Sequence, residues 1–215
     1  MHTAATLEVA LDPIRDTQAI FRTVLDALAW PGSVRQLPAQ ATGAPCPECA
    51  HPWAAGLLIS LLDHEVALAV DGFQDSEALQ RFVRQRTSVA AGGFPEADFV
   101  LAHAGTVNTD LPSRLKRGSL AYPDDGATLV LIAESLDHAQ RAPTSPAIRL
   151  LLAGPGVPDG LDLHVAGLAA ELIQARNEAV AEYPCGIDLL LVDGDGRLAA
   201  LPRSTRITLA TEEDR

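Results

Sequence analysis

The chain alternates short apolar runs with polar, glycine- and proline-rich breaks, and the spacing inside each run predicts its element. Near the start, Phe21, Val24, Leu25 and Leu28 recur at helical spacing. Asp12 with Pro13, or Asp16, opens this helix, and Pro31 with Gly32 stops it. Residues 33–37 read as a short strand, and residues 38–52, rich in Pro, Ala, Gly and Cys, as an irregular loop. Residues 53–62 are apolar enough for a buried helix, and 66–70 form a short strand. Asp75 caps a helix that carries Leu79, Phe82 and Val83 on one face. Residues 99–102 predict a buried strand and 111–117 a short polar helix. Residues 128–133 and 148–153 are continuous apolar runs, the kind carried by strands buried on both faces. Residues 162–165 add a strand. Residues 168–182 are the clearest helix, with Leu168, Leu172, Ile173, Ala179 and Val180 on one stripe.

The densest pattern is YPCGIDLLLVDGDGRLAALPRSTRI at residues 183–207. Ile187, Leu189 and Leu191 alternate with Asp188, Leu190 and Val192. Asp193, Gly194, Asp195 and Gly196 then supply residues that tolerate positive φ, so a hairpin follows. Pairing Val192 with Arg197 places Asp188 opposite Leu201, with Arg203 on the diagonal and within reach. Asp188 shares a face with Leu190 and Val192, so its carboxylate is partly buried and needs a partner. Two readings stand: an ion pair with Arg203 or Arg206, or a cap on backbone amides at the strand's start. Pro202 ends regular pairing, and the tail from about residue 210 is polar and frays.

Helices alternate with buried strands early, and strands cluster late. This predicts a single layered α/β domain over residues 1–215, with a mixed β-sheet flanked by helices. Length and a 47% hydrophobic content suffice for one well-buried core. The net charge of −12 disfavours nucleic acid and anionic membrane as partners. No apolar run approaches the roughly 20 residues of a membrane span. The N-terminus lacks the basic start and apolar run of a secretory signal. Cys46, Cys49 and Cys185 are too few for a disulfide scaffold, so a cytoplasmic protein is expected.

Candidate chemistry is sparse. Cys46 and Cys49 with His51 form half of a zinc pattern, and Cys185 completes a third ligand only if the fold brings it near. His103 and His164 are acid–base candidates or satisfied strand-end histidines. Ser60, Ser145 and Ser204 lack a nucleophile-elbow context. No Walker A loop is present, and Gly154-Pro155-Gly156 is a short turn whose proline has no amide to donate. Lys116 is the sole lysine, in the polar stretch SRLKRG, and reads as a surface residue rather than the aldimine lysine of a pyridoxal enzyme. Arg81, Arg84 and Arg86 read as a solvated helix face. Arg203, Ser204, Thr205 and Arg206 form a second basic cluster, where arginine could grip a phosphate.

The stretch from Tyr183 resembles the C-terminal signature of the H-subunit family (PhnH) of the bacterial carbon–phosphorus lyase system: aromatic-Pro-x-Gly-Ile/Val-Asp, an apolar strand, a turn, then Leu-x-Ala-Leu/Ile-Pro-Arg-Ser/Thr-Thr. DTQAIFRTVLDALAWPG from Asp16, YPDDGATLVL from Tyr122 and LAGPGV from Leu152 resemble further family segments in the right order. The resemblance implies a subunit that helps convert a phosphonate and ATP to a ribose 1-phosphonate 5-triphosphate. It implies a fold similar to the large domain of pyridoxal-phosphate (PLP)-dependent transferases, without PLP or another cofactor. It also implies a homodimer when isolated, other carbon–phosphorus lyase subunits as partners, and no catalytic residue to carry over. Asp188, Arg203, Ser204, Thr205 and Arg206 remain as a candidate anion or subunit contact. The rival readings are a self-sufficient transferase-like enzyme with an altered cofactor site, and a small redox or zinc module on Cys46 and Cys49.

Overall fold

A computed structural model describes residues 11–43, 46, 51–138, 147–159 and 161–210. Helix α1 (Arg15–Ala29) opens with a reciprocal cap. Asp12 Oδ1 accepts from the amides of Ile14 at 2.8 Å and Arg15 at 2.9 Å, while Asp16 Oδ2 accepts from the Asp12 amide at 2.8 Å. Both predicted openers are therefore used. The helix buries Ile20, Val24 and Ala27. Phe21 and Leu25, expected on the inner stripe, lie outside it at 45% and 47% exposure. The sequence carries two adjacent apolar rows here, and the sheet has room for one.

Helix α2 (Pro52–Leu61) starts with Pro52 at a first-turn position and His51 Nδ1 accepting from the Ala54 amide. Helix α3 (Ser76–Thr87) is capped by Asp75, whose Oδ1 accepts from the Ala78 amide at 2.8 Å. Helix α4 (Leu111–Arg114) is one turn and buries Leu111 and Pro112, so the expected polar helix is anchored by apolar residues. Helix α5 (Ala170–Ala179) is shorter than the predicted 168–182.

The strands in chain order are β1 (Arg35–Gln36), β2 (Ala67–Asp71), β3 (Ala90–Ala91), β4 (Phe99–His103), β5 (Thr128–Ile132) and β6 (Ser135–His138). They continue as β7 (Ala147–Ala153), β8 (Asp162–Ala166), β9 (Asp188–Val192), β10 (Arg197–Leu201) and β11 (Arg206–Leu209). Seven form a mixed sheet in the order β1-β10-β9-β5-β4-β2-β3. Within it β3, β2, β4, β5 and β9 run parallel, and β10 is antiparallel to both β9 and β1. The other four form an antiparallel sheet in the order β11-β7-β8-β6.

This second sheet corrects the reading of residues 148–153. That run is not doubly buried: Leu150 and Leu152 point into the core while Ile148, Arg149 and Leu151 are half-exposed. An antiparallel sheet with one wet face needs only alternate residues apolar.

Alternation along the large sheet divides the core in two. On one face Leu68, Leu101, Val130, Leu190 and Leu198 meet Ile20, Val24, Leu57, Leu58, Leu79 and Val83 of α1–α3. On the other, Val100, Leu129, Leu131, Leu189, Leu191 and Leu201 meet α5 and the second sheet through Leu136, Leu150, Leu163, Val165, Leu172 and Ile173.

The β9–β10 hairpin forms as predicted, with its register shifted by one. Val192 pairs with Leu198 rather than Arg197. The Gly196 amide donates to Asp193 O and the Asp193 amide to Arg197 O, both at 3.0 Å. Gly196 alone of the four turn residues has positive φ, at +77°. A three-residue loop ending in a left-handed glycine thus replaces the tighter turn expected from the motif. The ring of Trp53 lies where a Gly196 Cβ would project, and Trp53 Nε1 donates to Gly194 O at 3.1 Å, pinning the loop to α2.

Candidate functional site

The exit of the hairpin is tied down by two arginines. Asp188 is the first residue of β9, and Arg203 follows the end of β10. Arg203 Nη2 donates to Asp188 Oδ2 at 2.5 Å and its Nε bridges both carboxylate oxygens at 3.2 Å. The Arg203 amide also donates to Asp188 Oδ1 at 2.8 Å. Both sequence readings of Asp188 therefore hold in part, and Arg203 rather than Arg206 is the partner. The hydrogen bond to Asp188 raises the Arg203 pKa, against the opposing effect of burial. Arg203 Nη1 donates to Pro123 O, in the turn that enters β5. A Cβ at Gly126 would stand 2.7 Å from that Nη1, so the glycine makes room for it. One guanidinium thereby joins the segments around Tyr122, Asp188 and Arg203.

The second arginine, Arg176 of α5, is fully buried. Its Nη1 donates to Thr205 O at 2.8 Å and its Nη2 to Pro202 O at 2.6 Å. The neighbouring Asn177 Nδ2 donates to Ile207 O at 2.8 Å. Together they hold the carbonyls of the Pro202–Ile207 turn in a fixed fan. Burial lowers the Arg176 pKa to about 10, with Asp188 pulling the other way, so the group is charged at neutral pH. Its Nε and the Thr205 Oγ1 are both buried without a partner.

Sequence reading did not single out Arg176. The signal was present, since position 176 lies on the same stripe as Leu172, Ile173 and Ala179, and a charge on an apolar stripe marks a buried partner set.

These groups line a cleft of about 630 Å³ between α5, the β7 end and the hairpin exit. Arg176, Arg203 and Arg206 line it with Ser204 and Thr205, and among the described residues no carboxylate does. Thr205 is buried, Ser204 half-buried and Arg206 exposed. Gly154 of the Gly-Pro-Gly turn forms the far wall; a Cβ there would stand 2.8 Å from Ser204 O. The next glycine, Gly156, packs the same way on Ala29 O, at the end of α1.

The remaining candidates fall elsewhere. Lys116 is not a solvated surface lysine. It pairs with Asp98, whose other oxygen accepts from the Ala67 amide at 2.7 Å, and its side chain is only 26% exposed. The pair clamps the starts of β2 and β4, a link that the polar sequence around Lys116 could not show. His103 accepts from the Gly105 amide at 3.3 Å and meets Phe73 edge-on. His164 faces Asp137 and Arg149 across β8, with Nε2 buried and unpartnered. Burial, and then His103, lowers the His51 pKa.

Cys46 packs half-buried against the α1–α3 core, Cys185 lies in the loop before β9, and Cys49 and Ser145 are outside the described residues. Among the described residues no group of three or more His, Cys, Asp or Glu is placed to hold a metal ion. Arg86 lies over the Phe82 ring at 3.9 Å and Arg81 pairs with Glu77 at 3.4 Å, on an exposed helix face. Among the described residues no helix is long and apolar enough to cross a membrane.

Fold and site thus define an α/β protein with a mixed seven-stranded sheet and an arginine-lined cleft beside its hairpin exit. The profile of the family described as "Bacterial phosphonate metabolism protein (PhnH)" matches residues 10–208, and the chain belongs to that family. It is 32% identical over 192 residues to a protein of Stutzerimonas stutzeri named as a putative C-P lyase subunit, HtxG, covering 89% of this chain and 86% of that one. It is 26% identical over 200 residues to the alpha-D-ribose 1-methylphosphonate 5-triphosphate synthase subunit PhnH of Rhizobium meliloti (strain 1021), covering 91% and 92%.

Proposed function

We propose that the chain is a subunit of a carbon–phosphorus lyase complex in phosphonate catabolism. It would support conversion of a phosphonate and ATP to a ribose 1-phosphonate 5-triphosphate. Family membership over residues 10–208 carries this reading. The structure supports it through Arg203, which ties the segments around Tyr122 and Asp188 to the hairpin exit, beside a cleft that the turn after Leu152 helps to line. In this reading Asp188 and Arg203 hold the surface in shape, and Ser204, Thr205 and Arg206 present it to an anion or a subunit. The chain works as a single cytoplasmic domain, forms a homodimer when isolated, and turns over nothing alone. Its sheet, with six strands parallel and only β10 reversed, supports a fold similar to the large domain of PLP-dependent transferases.

The rival, a self-sufficient transferase-like enzyme, fits less well. Ligands of open α/β sheets sit beyond the carboxyl ends of the strands. Asp188 and Gly126 instead stand at the amino ends of β9 and β5, and Lys116 is held by Asp98 at the amino end of β4. The test is reconstitution of the subunit complex with and without this chain, following triphosphate formation by phosphorus NMR. Product should appear only with the chain present, and the chain alone should give none. Product from the chain alone, or equal product without it, overturns the reading.

A further inference from the structure

We propose that the cleft between α5 and the hairpin exit is a binding site for a tetrahedral phosphorus oxyanion, with room for a triphosphate. The proposal rests on the function above only for its biological setting; its physical basis is the cleft itself. The chain carries 28 acidic residues against 16 basic ones, yet among the described residues the cleft is lined by three arginines and no carboxylate, and Asp188, bound to Arg203 outside that lining, offsets only one of the three charges. A positive hollow on so acidic a molecule concentrates anions locally and repels them elsewhere.

The cations are preorganised. Arg176 and Arg203 are already locked to backbone carbonyls and to Asp188, so their charge is fixed in place before any ligand arrives. They do not have to move to act on an anion. Arg206 and Ser204 line the same cleft, Arg206 exposed and Ser204 half-buried, and their side chains are the ones placed to donate directly. A guanidinium at the start of β11 and a hydroxyl on the turn just before it are the kinds of donor that phosphate oxygens accept.

Two further atoms point to a ligand. Arg176 Nε and Thr205 Oγ1 are buried donors without acceptors, and both residues line the cleft. Buried donors are ordinarily satisfied, so an orphaned pair beside a positive hollow marks a place for an acceptor. The volume of about 630 Å³ lies within the usual range for small-molecule sites, roughly 300–1,000 Å³.

Inorganic tripolyphosphate and methylphosphonate are the probes, titrated separately into the full chain by calorimetry. Saturable binding of either supports the site, and the tighter of the two tells whether it takes the polyphosphate or the phosphonate end of a ligand. Arg206→Ala, an exposed position that leaves the fold intact, should weaken binding by about tenfold or more. Arg84→Ala on α3, an arginine beside a separate hollow of about 440 Å³, should bind as wild type.

The proposal fails if neither probe binds in the millimolar range, or if both variants weaken binding equally. It also fails if Arg206→Ala loses the partner subunits while wild type binds no probe, since the cleft is then a protein-docking surface. Failure of the titrations with product formation intact in the reconstituted complex would remove this site and leave the subunit role standing.

Discussion

Asp193 is 1% exposed, and its carboxylate organises the whole hairpin loop. Oδ1 accepts from the amides of Asp195 at 3.0 Å and Arg197 at 2.9 Å, and Oδ2 accepts from the Leu136 amide at 3.0 Å. Desolvation by burial nevertheless outweighs these bonds and Arg197, and raises its pKa above the ordinary 3.8. Between 3.8 and the raised value, the native protein holds a proton that the unfolded chain has lost. Stability therefore falls as pH rises through that window, and the penalty is complete above it. Asp193→Asn does not titrate there. The unfolding free energy of wild type minus that of Asp193→Asn, from urea titrations, should decrease with rising pH across the window and then level off. A difference independent of pH would refute the assignment. The same residue shows what a motif leaves open: as part of Asp-Gly-Asp-Gly it reads as a turn former, and its bond to β6 depends on a strand far away in the chain.

Helix α1 illustrates how an element can be legible while its orientation is not. Its extent, caps and stop follow from Asp12, Asp16, Pro31 and Gly32, all local signals. Ile20 and Val24 form one apolar row, Phe21 and Leu25 another, and periodicity alone weighs them alike. The structure buries the first. Ile20→Ala should thus cost about 2–5 kcal/mol, as large-to-small core changes do. The double variant Phe21→Ser, Leu25→Ser of the isolated chain should stay within about 0.5 kcal/mol per site. Chemical denaturation of the two variants checks this, and the reverse ranking would place the wrong row inside.

The strands divide similarly. Apolar β5 and β9, buried on both faces, announce themselves, whereas β6 and β11 are short and mixed, and were not expected. β11 in particular begins inside the PRSTR stretch. Its pairing with β7 is what turns that basic cluster into one wall of a cleft.

Across the molecule, the net charge of −12 repels polyanions while the cleft gathers three arginines. A long polyanion meets the average field, and a small one meets the local field. Duplex DNA should therefore show no retardation with this protein in gel-shift assays at physiological salt; a shifted band would overturn that reading of the charge. Composition, periodicity and motif wording determined the α/β class, most strands, the capped helices, the hairpin and the need of Asp188 for a partner, because each is a property of residues close in sequence. Family-like wording also marked the turn at Gly154 and Pro155 and the hairpin exit, which line the cleft. Only the tertiary structure decided that a second sheet exists, that the hairpin is shifted by one, and that Arg203 rather than Arg206 meets Asp188. It alone brought Arg176 beneath the turn. These outcomes depend on distances between segments remote in sequence, and those distances are set when the sheets and helices pack, by which apolar face finds room and which buried polar group finds a partner.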